Sequence, residues 1–173
     1  MRELPGKLTA GTGDGGRGRG TPDPARLFEG AKPLVERLRR EGPFPSGAAL
    51  LARAREILAG LSDAERIAVI NAHPRIGERA ERVRAQSALS FREQGYDGDD
   101  TPPEVFRDLA RLNEAYERKF GFRFVVFVNR RSKASLVPVL EARRLRARAE
   151  ELSTALADIV AIAEDRLRRE ASC

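Results

Sequence analysis

Apolar residues along this chain recur mostly at helical spacing. Leu27 and Phe28 follow Pro24, which suits a first helical turn, and Leu34, Val35 and Leu38 continue the pattern. Gly42-Pro43-Phe44-Pro45 breaks it. Ser46 is placed to cap the next helix, whose inner stripe is Leu50, Leu51, Ala54, Ile57 and Leu58. Ser62, with Glu65 three positions on, reads as a capping box ahead of Ile67, Val69 and Ile70. That helix runs into Asn71-Ala72-His73-Pro74. A residue before proline is pushed out of the α region, so His73 is expected at the very end of a helix, projecting from a fixed turn.

Arg75 to about Ala85 forms a further helical stretch with few apolar positions, and Ser87 to Gln94 a short one closed by Gly95. Residues 97–103 carry turn chemistry. Thr101 is expected to cap a long helix from Pro102 to about Lys119, with Val105, Phe106, Leu109, Leu112, Asn113 and Tyr116 inward and Gly121 ending it. Phe122 to Val128 is β-like in composition. It is a single run with no partner, so an extended segment buried among helices is expected. Ser132 begins another helix (Leu136, Val139, Leu140). The last runs from about Arg146 to Arg169, with Leu152, Leu156, Ile159, Val160, Ile162, Ala163 and Leu167 inward. The pattern predicts an all-α, compact single-domain bundle of about seven to eight helices with one buried extended segment over residues 24–171. Residues 1–23, with Gly-rich GTGDGGRGRG, carry too few apolar groups to order and are expected to be a disordered tail. They lack the Gly-Lys-Ser/Thr of a phosphate loop.

Composition narrows the classes. The 173 residues, 41% hydrophobic and 34% charged, suit one soluble domain. No apolar run approaches the roughly 20 residues of a membrane span and the start lacks a signal-peptide stretch, so the cytoplasm and no membrane partner are expected. Cys173 is the single cysteine, which leaves no internal disulfide and no CxxC pair. The net charge of +6 and pI of about 10.2 raise nucleic acid as a partner. Against it, the basic residues are nearly all arginine in an arginine- and alanine-rich chain. They alternate with glutamate (Glu78, Arg79, Glu81, Arg82, Arg84) as on a solvated helix face. Interleaved stacking aromatics are missing, so no nucleic-acid partner is expected.

His73 is the only histidine, the one side chain that titrates near neutral pH unaided; a hydrogen-bonded structural histidine is the alternative. Ser90 and Glu93 share a helical face with Gln94 beside them, a set able to position a polar substrate, although Ser-x-x-Glu also reads as a capping box. One histidine, no usable cysteine and no HExxH leave no expected metal site, and no G-x-S-x-G elbow is present. The residues taken alone lead to one possible His/Glu site and name no reaction.

Read in order, several words resemble the 2-oxo-4-hydroxy-4-carboxy-5-ureidoimidazoline (OHCU) decarboxylase family. They are Phe28-Glu29, Gly42-Pro43-Phe44 with Ser46, Ala72-His73-Pro74-Arg75-Ile76-Gly77 and Ser90-x-x-Glu93-Gln94. Leu112-Asn113-x-x-Tyr116-x-x-Lys119-Phe120-Gly121-Phe122-x-Phe124 follows, then Arg131-Ser132, Arg144-Leu145, Glu151-x-x-x-Ala155-Leu156 and Arg166-Leu167. The resemblance implies decarboxylation of a small anionic ureidoimidazoline from urate breakdown to (S)-allantoin and carbon dioxide, with no cofactor, in a homodimer. It implies His73 and Glu93 as catalytic residues, and Pro74, Ser90, Gln94, Phe124 and Arg166 as substrate-binding. His73 would move the proton of the substrate hydroxyl. Glu93 would bind ring or ureido nitrogens, and Arg166 would pair with the anion.

The chain departs from the family pattern in three places. Arg75-Ile76-Gly77-Glu78 follows His-Pro where Asp-Leu-Ala-Gly is common. The glycine stretch stands in place of a first helix ahead of Phe28-Glu29. Asn129-Arg130 stands where glycine is more usual before Arg-Ser. Two other readings stay open at this point: a decarboxylase of a related ureido or imidazoline acid, and a helical binding module on the same scaffold without activity.

Overall fold

The computed structural model describes residues 22–171. Among them are nine helices, α1 (Pro24–Leu27), α2 (Lys32–Glu41), α3 (Gly47–Gly60), α4 (Asp63–Asn71), α5 (Ala80–Gln86), α6 (Ala88–Glu93), α7 (Pro103–Phe120), α8 (Lys133–Arg143) and α9 (Arg148–Ala171), and no strand. The all-α expectation holds, with one helix more than foreseen because Pro24–Leu27 closes as a separate single turn. The stretch expected to be a disordered tail lies, up to residue 21, outside the described residues, as does Cys173.

Most helix starts follow local chemistry. Ser46 and Ser132 accept from the amides of Ala49 and Ser135. Ser62 and Glu65 form the reciprocal capping box. Gly121 ends α7 at φ 80°, a left-handed C-cap. Two boundaries differ from expectation. Thr101 does not cap α7; its amide is taken by Asp99 Oδ1 at 3.0 Å, and Pro102 holds the cap position without a side-chain bond. The helix expected from Arg75 begins only at Ala80, because residues 74–79 form a turn anchored elsewhere.

The main core lies between α2, α3, α4, α7 and α9, with Leu34, Leu38, Leu50, Ile70, Leu112 and Ile159 shielded from solvent. Val83, Phe91 and Tyr96 form a second, smaller cluster under α5 and α6. The run Phe122 to Val128 is largely buried and is neither helix nor strand, in line with the expected extended segment. A buried peptide group must find a partner, and arginines supply them where a sheet would otherwise do so. Arg143 Nη1 donates to Val125 O at 2.9 Å, Arg131 to the carbonyls of Phe127 and Val128, and Arg148 to Phe120 O. Arg143 is itself held by Glu151, fully buried on α9, which also accepts from Tyr116 Oη at 2.7 Å. This ion pair in the core explains how one apolar run stays extended without a neighbouring strand.

Candidate active site

α4 ends at Asn71, and His73 follows one residue past the cap. The turn after it is tied down on three sides. Arg75 makes a two-pronged pair with Glu117 of α7, Asn113 Nδ2 donates to Ile76 O at 2.9 Å, and Arg123 Nη1 donates to His73 O at 2.9 Å. Gly77 sits at φ 72°, and a Cβ there would come within 2.7 Å of Leu109. Only glycine lets the turn lie this close to α7. Pro74 is buried within the turn.

The His73 ring is 3% exposed. Nδ1 lies 3.3 Å from Val69 O. A carbonyl only accepts, so Nδ1 carries the hydrogen and Nε2 presents a lone pair. Nε2 is buried and has no protein partner. Burial pushes the imidazole pKa down to about 4, opposed by the Glu29 carboxylate and the Val69 carbonyl and reinforced by Arg166 and Arg123. The ring is therefore neutral at pH 7, with a buried proton acceptor.

Arg166 gathers the other residues. Its Nε donates to Glu93 Oε1 and its Nη2 to Glu93 Oε2, both at 2.7 Å. Nη2 also reaches Ser90 Oγ at 3.3 Å and pairs with Glu29. Nη1 donates to the carbonyls of Arg26 and Leu27. Every nitrogen of the guanidinium thus points at a protein oxygen. Burial works against the cation, and Glu93 and Glu29 more than offset it, so its pKa stands above the usual arginine value. Ser87, not Ser90, is the N-cap of α6, accepting from Ser90 N at 3.0 Å. That leaves Ser90 Oγ free to donate to Glu29 at 2.9 Å. Gln94 Oε1 lies 3.4 Å from the Gly77 amide, which links α6 to the histidine turn.

The structure therefore bonds Ser90, Glu93 and Arg166 into one cluster, with Gln94 beside it and His73 within its electrostatic reach. Phe124 lies outside the cluster. Its fully buried ring packs edge-on against Tyr116 at 5.4 Å, with Arg143 over its face at 4.7 Å. A cavity of about 40 Å³ opens beside Ser90, Glu93 and Gln94, walled by Val126 to Arg130, Ile162, Asp165 and Arg169. It can hold roughly one water. A larger groove of about 560 Å³ between α3, α4 and α9 contains none of these residues. Among the described residues no three His, Cys, Asp or Glu side chains gather where a metal could sit. No helix there is long and apolar enough to cross a membrane.

Two residues of the cluster carried no role in the sequence reading. Glu29 stood there only as part of the Phe28-Glu29 word. Lys133, 4% exposed, donates to Gln94 O at 2.6 Å and to Asp99 at 2.7 Å and lies over Tyr96. Its position one residue after the Ser132 cap gave no signal of burial.

Fold and cluster together define an all-helical protein, over the described residues, with a buried histidine beside a guanidinium shared by two carboxylates. The sequence profile of OHCU decarboxylase matches residues 24–168. The chain is 29% identical over 141 residues to the 2-oxo-4-hydroxy-4-carboxy-5-ureidoimidazoline decarboxylase of Haloferax volcanii, covering 82% of each. It is 30% identical over 142 residues to the protein of the same name from Halalkalicoccus jeotgali, covering 82% of this chain and 78% of that one. A crystal structure of an OHCU decarboxylase in the presence of (S)-allantoin shares the fold, with a TM-score of 0.70 at 23% identity over 88% of this chain and 99% of that one. The chain belongs to the OHCU decarboxylase family.

Proposed function

We propose that this protein decarboxylates OHCU to (S)-allantoin and carbon dioxide, without a cofactor, as a step of urate degradation. Family membership supports the reaction. The observation that carries the site is the buried, unpartnered Nε2 of His73 close to a guanidinium shared by two carboxylates.

The substrate's own chemistry makes a cofactor unnecessary. The bond from the ring to the carboxylate breaks, and its electron pair passes to the adjacent carbon and the imine nitrogen. Carbon dioxide leaves, and one proton in all is taken up. The protein has to hold the carboxylate out of the imine plane, stabilise an enediol-like intermediate and protonate one face. A neutral His73 with Nε2 free accepts the proton of the hydroxyl on the carboxylate-bearing carbon. Arg166 offers the flat two-pronged donor face that suits a carboxylate. Glu93 receives ring or ureido N–H groups and takes part in delivering the stereochemical proton. Ser90 and Gln94 add hydrogen bonds, and Pro74 fixes the histidine turn. Phe124 contributes packing, and the backbone of 126–128 forms the wall. A cavity of about 40 Å³ is far too small for an imidazoline, so binding requires side chains at its rim to move. The same reading makes the protein a cytoplasmic homodimer, which light scattering on the purified chain tests.

The deciding experiment generates OHCU in place from urate with the two upstream enzymes and follows allantoin by circular dichroism. Fast formation of the (S) signal, lost in both His73→Ala and Glu93→Ala, is expected. Racemic product at the spontaneous rate with the unaltered protein overturns the reading.

A further inference from the structure

Glu29 lies in the turn between α1 and α2. Its backbone is left-handed, with φ at 53°, a conformation that non-glycine residues seldom adopt. Such strain persists only where the surroundings over-determine it, and the side chain shows how they do. Ser87 Oγ and Ser90 Oγ each donate to Oε1 at 2.9 Å, and Arg166 Nη2 donates to the same oxygen. Three donors from two helices converge on one atom of one carboxylate.

Glu93 grips the same guanidinium but differs in two respects. Its side chain is 17% exposed against 7% for Glu29. It also borders the cavity, which Glu29 does not. Arg166 thus has one carboxylate locked behind it and one at the open side.

We propose that Glu29 is the permanent counter-ion and positioning residue of Arg166, and that Glu93 is the exchangeable partner, which gives up the guanidinium to the carboxylate of an incoming anion. This rests on the proposed function and adds how the site opens. The two-pronged Nε/Nη2 face now filled by Glu93 is the face a ligand carboxylate needs. Glu93, once released, is free to meet the ligand's N–H groups. Throughout, the buried guanidinium keeps a counter-charge, without which its burial would be costly.

The arrangement also bears on His73. The charged groups that act on the ring are Glu29 from the α1–α2 turn, Arg166 from α9 and Arg123 from the extended segment, with the Val69 carbonyl from α4. Glu29 is the one carboxylate among them, so removing its charge disfavours the imidazolium.

His73 is the only histidine, so its imidazole NMR signals report this one residue without any assay of activity. In Glu29→Gln its titration midpoint is expected to fall by about half a unit or more. In turnover of OHCU, kcat is expected to fall roughly tenfold or more with KM not raised, because the guanidinium now holds the ground-state anion at least as well. Glu29→Asp keeps the charge and retracts it. It is expected to restore the His73 midpoint and only part of kcat, and it carries the test should Glu29→Gln fail to fold. An unmoved midpoint together with kcat/KM within about twofold of the unaltered protein overturns the proposal. If the unaltered protein does not accelerate OHCU decay at all, the functional reading fails, and the His73 titration still decides the role of Glu29.

Discussion

Arg166 and Glu93, 73 positions apart in the chain, meet in a parallel two-pronged pair, Nε to Oε1 and Nη2 to Oε2, each at 2.7 Å. The pair joins the long C-terminal helix to the short α6 and closes the side of the cluster that faces the cavity. A residue read as an anion binder is therefore, in this conformation, wholly engaged with the protein. Under the proposed exchange, an incoming anion replaces Glu93 at Arg166 and does not fill a waiting slot.

Replacing Arg166 by lysine tests that geometry. Lysine keeps the charge but cannot reproduce the fork or reach all of these acceptors. A fall in kcat/KM of roughly a hundredfold is expected, of the size seen when one preorganised donor is lost. Arg166→Ala also leaves the buried Glu29 and the partly exposed Glu93 without their cation, and should cost on the order of 3 kcal/mol of stability. Denaturant unfolding of both variants measures the difference.

His73 ties stability to pH. Its folded pKa, about 4, lies below the usual histidine value near 6.5. The unfolded chain therefore binds the proton more readily, and stability contributed by the neutral ring is present above about pH 6.5 and is lost as pH falls toward 4. The loss between pH 7 and pH 5 should be on the order of 1–2 kcal/mol. His73→Asn should show less of this fall in denaturant midpoints at the two pH values, and should lose turnover. Equal pH dependence in both proteins would refute a buried neutral ring.

Much of this was legible because it is local. Ser46, Ser62 and Ser132 cap helices through bonds spanning three residues, and Gly121 ends one through its own backbone. Thr101 is not a cap because the helix starts one residue later, at Pro103, which puts Pro102 in the cap position and leaves Thr101 in the turn with its amide on Asp99. The site was less legible because its contacts are distant. Glu29 meets Ser87 and Arg166 across 58 and 137 positions. Even so, Arg166 interrupts a buried stripe of Leu152, Ala155, Ile159 and Ala163 on α9. A charge placed in phase with a core stripe was a signal available from periodicity alone. The Phe124 ring is legible as core from the apolar run alone, and its packing on Tyr116 and Arg143 places it there.

Lys133 supports the site from below. Its ammonium bridges Gln94 O and Asp99 and lies 3.9 Å from the Tyr96 ring centroid, so it clamps the end of α6 to the start of α8. Lys133→Met keeps much of the volume and leaves the Asp99 carboxylate with the Thr101 amide but without its cation. A loss of about 3 kcal/mol in unfolding free energy is expected. KM should rise more than kcat falls, since Gln94 is displaced while His73 is not. Unchanged stability would show that the clamp is idle.

The rim of the cavity carries its own prediction. Arg130 and Arg169 border both the cavity beside Glu93 and an adjoining surface pocket that also includes Arg92 and Arg131. Arg169 is paired with Asp165 at 2.7 Å, whereas Arg130 is exposed. A ring of cations around a small opening concentrates field there and raises the arrival rate of an anion, and salt screens the effect. Arg130→Gly should lower kcat/KM several-fold at about 20 mM salt and leave it near that of the unaltered protein at about 0.5 M. Arg130 also sits at φ 60°, beside Asn129 at 47°, a left-handed pair that glycine adopts without strain. The same substitution should therefore raise stability by about 1 kcal/mol while it slows capture. A variant that is more stable yet slower only at low salt separates steering from folding, and equal kcat/KM at both salt concentrations would remove Arg130 from substrate capture.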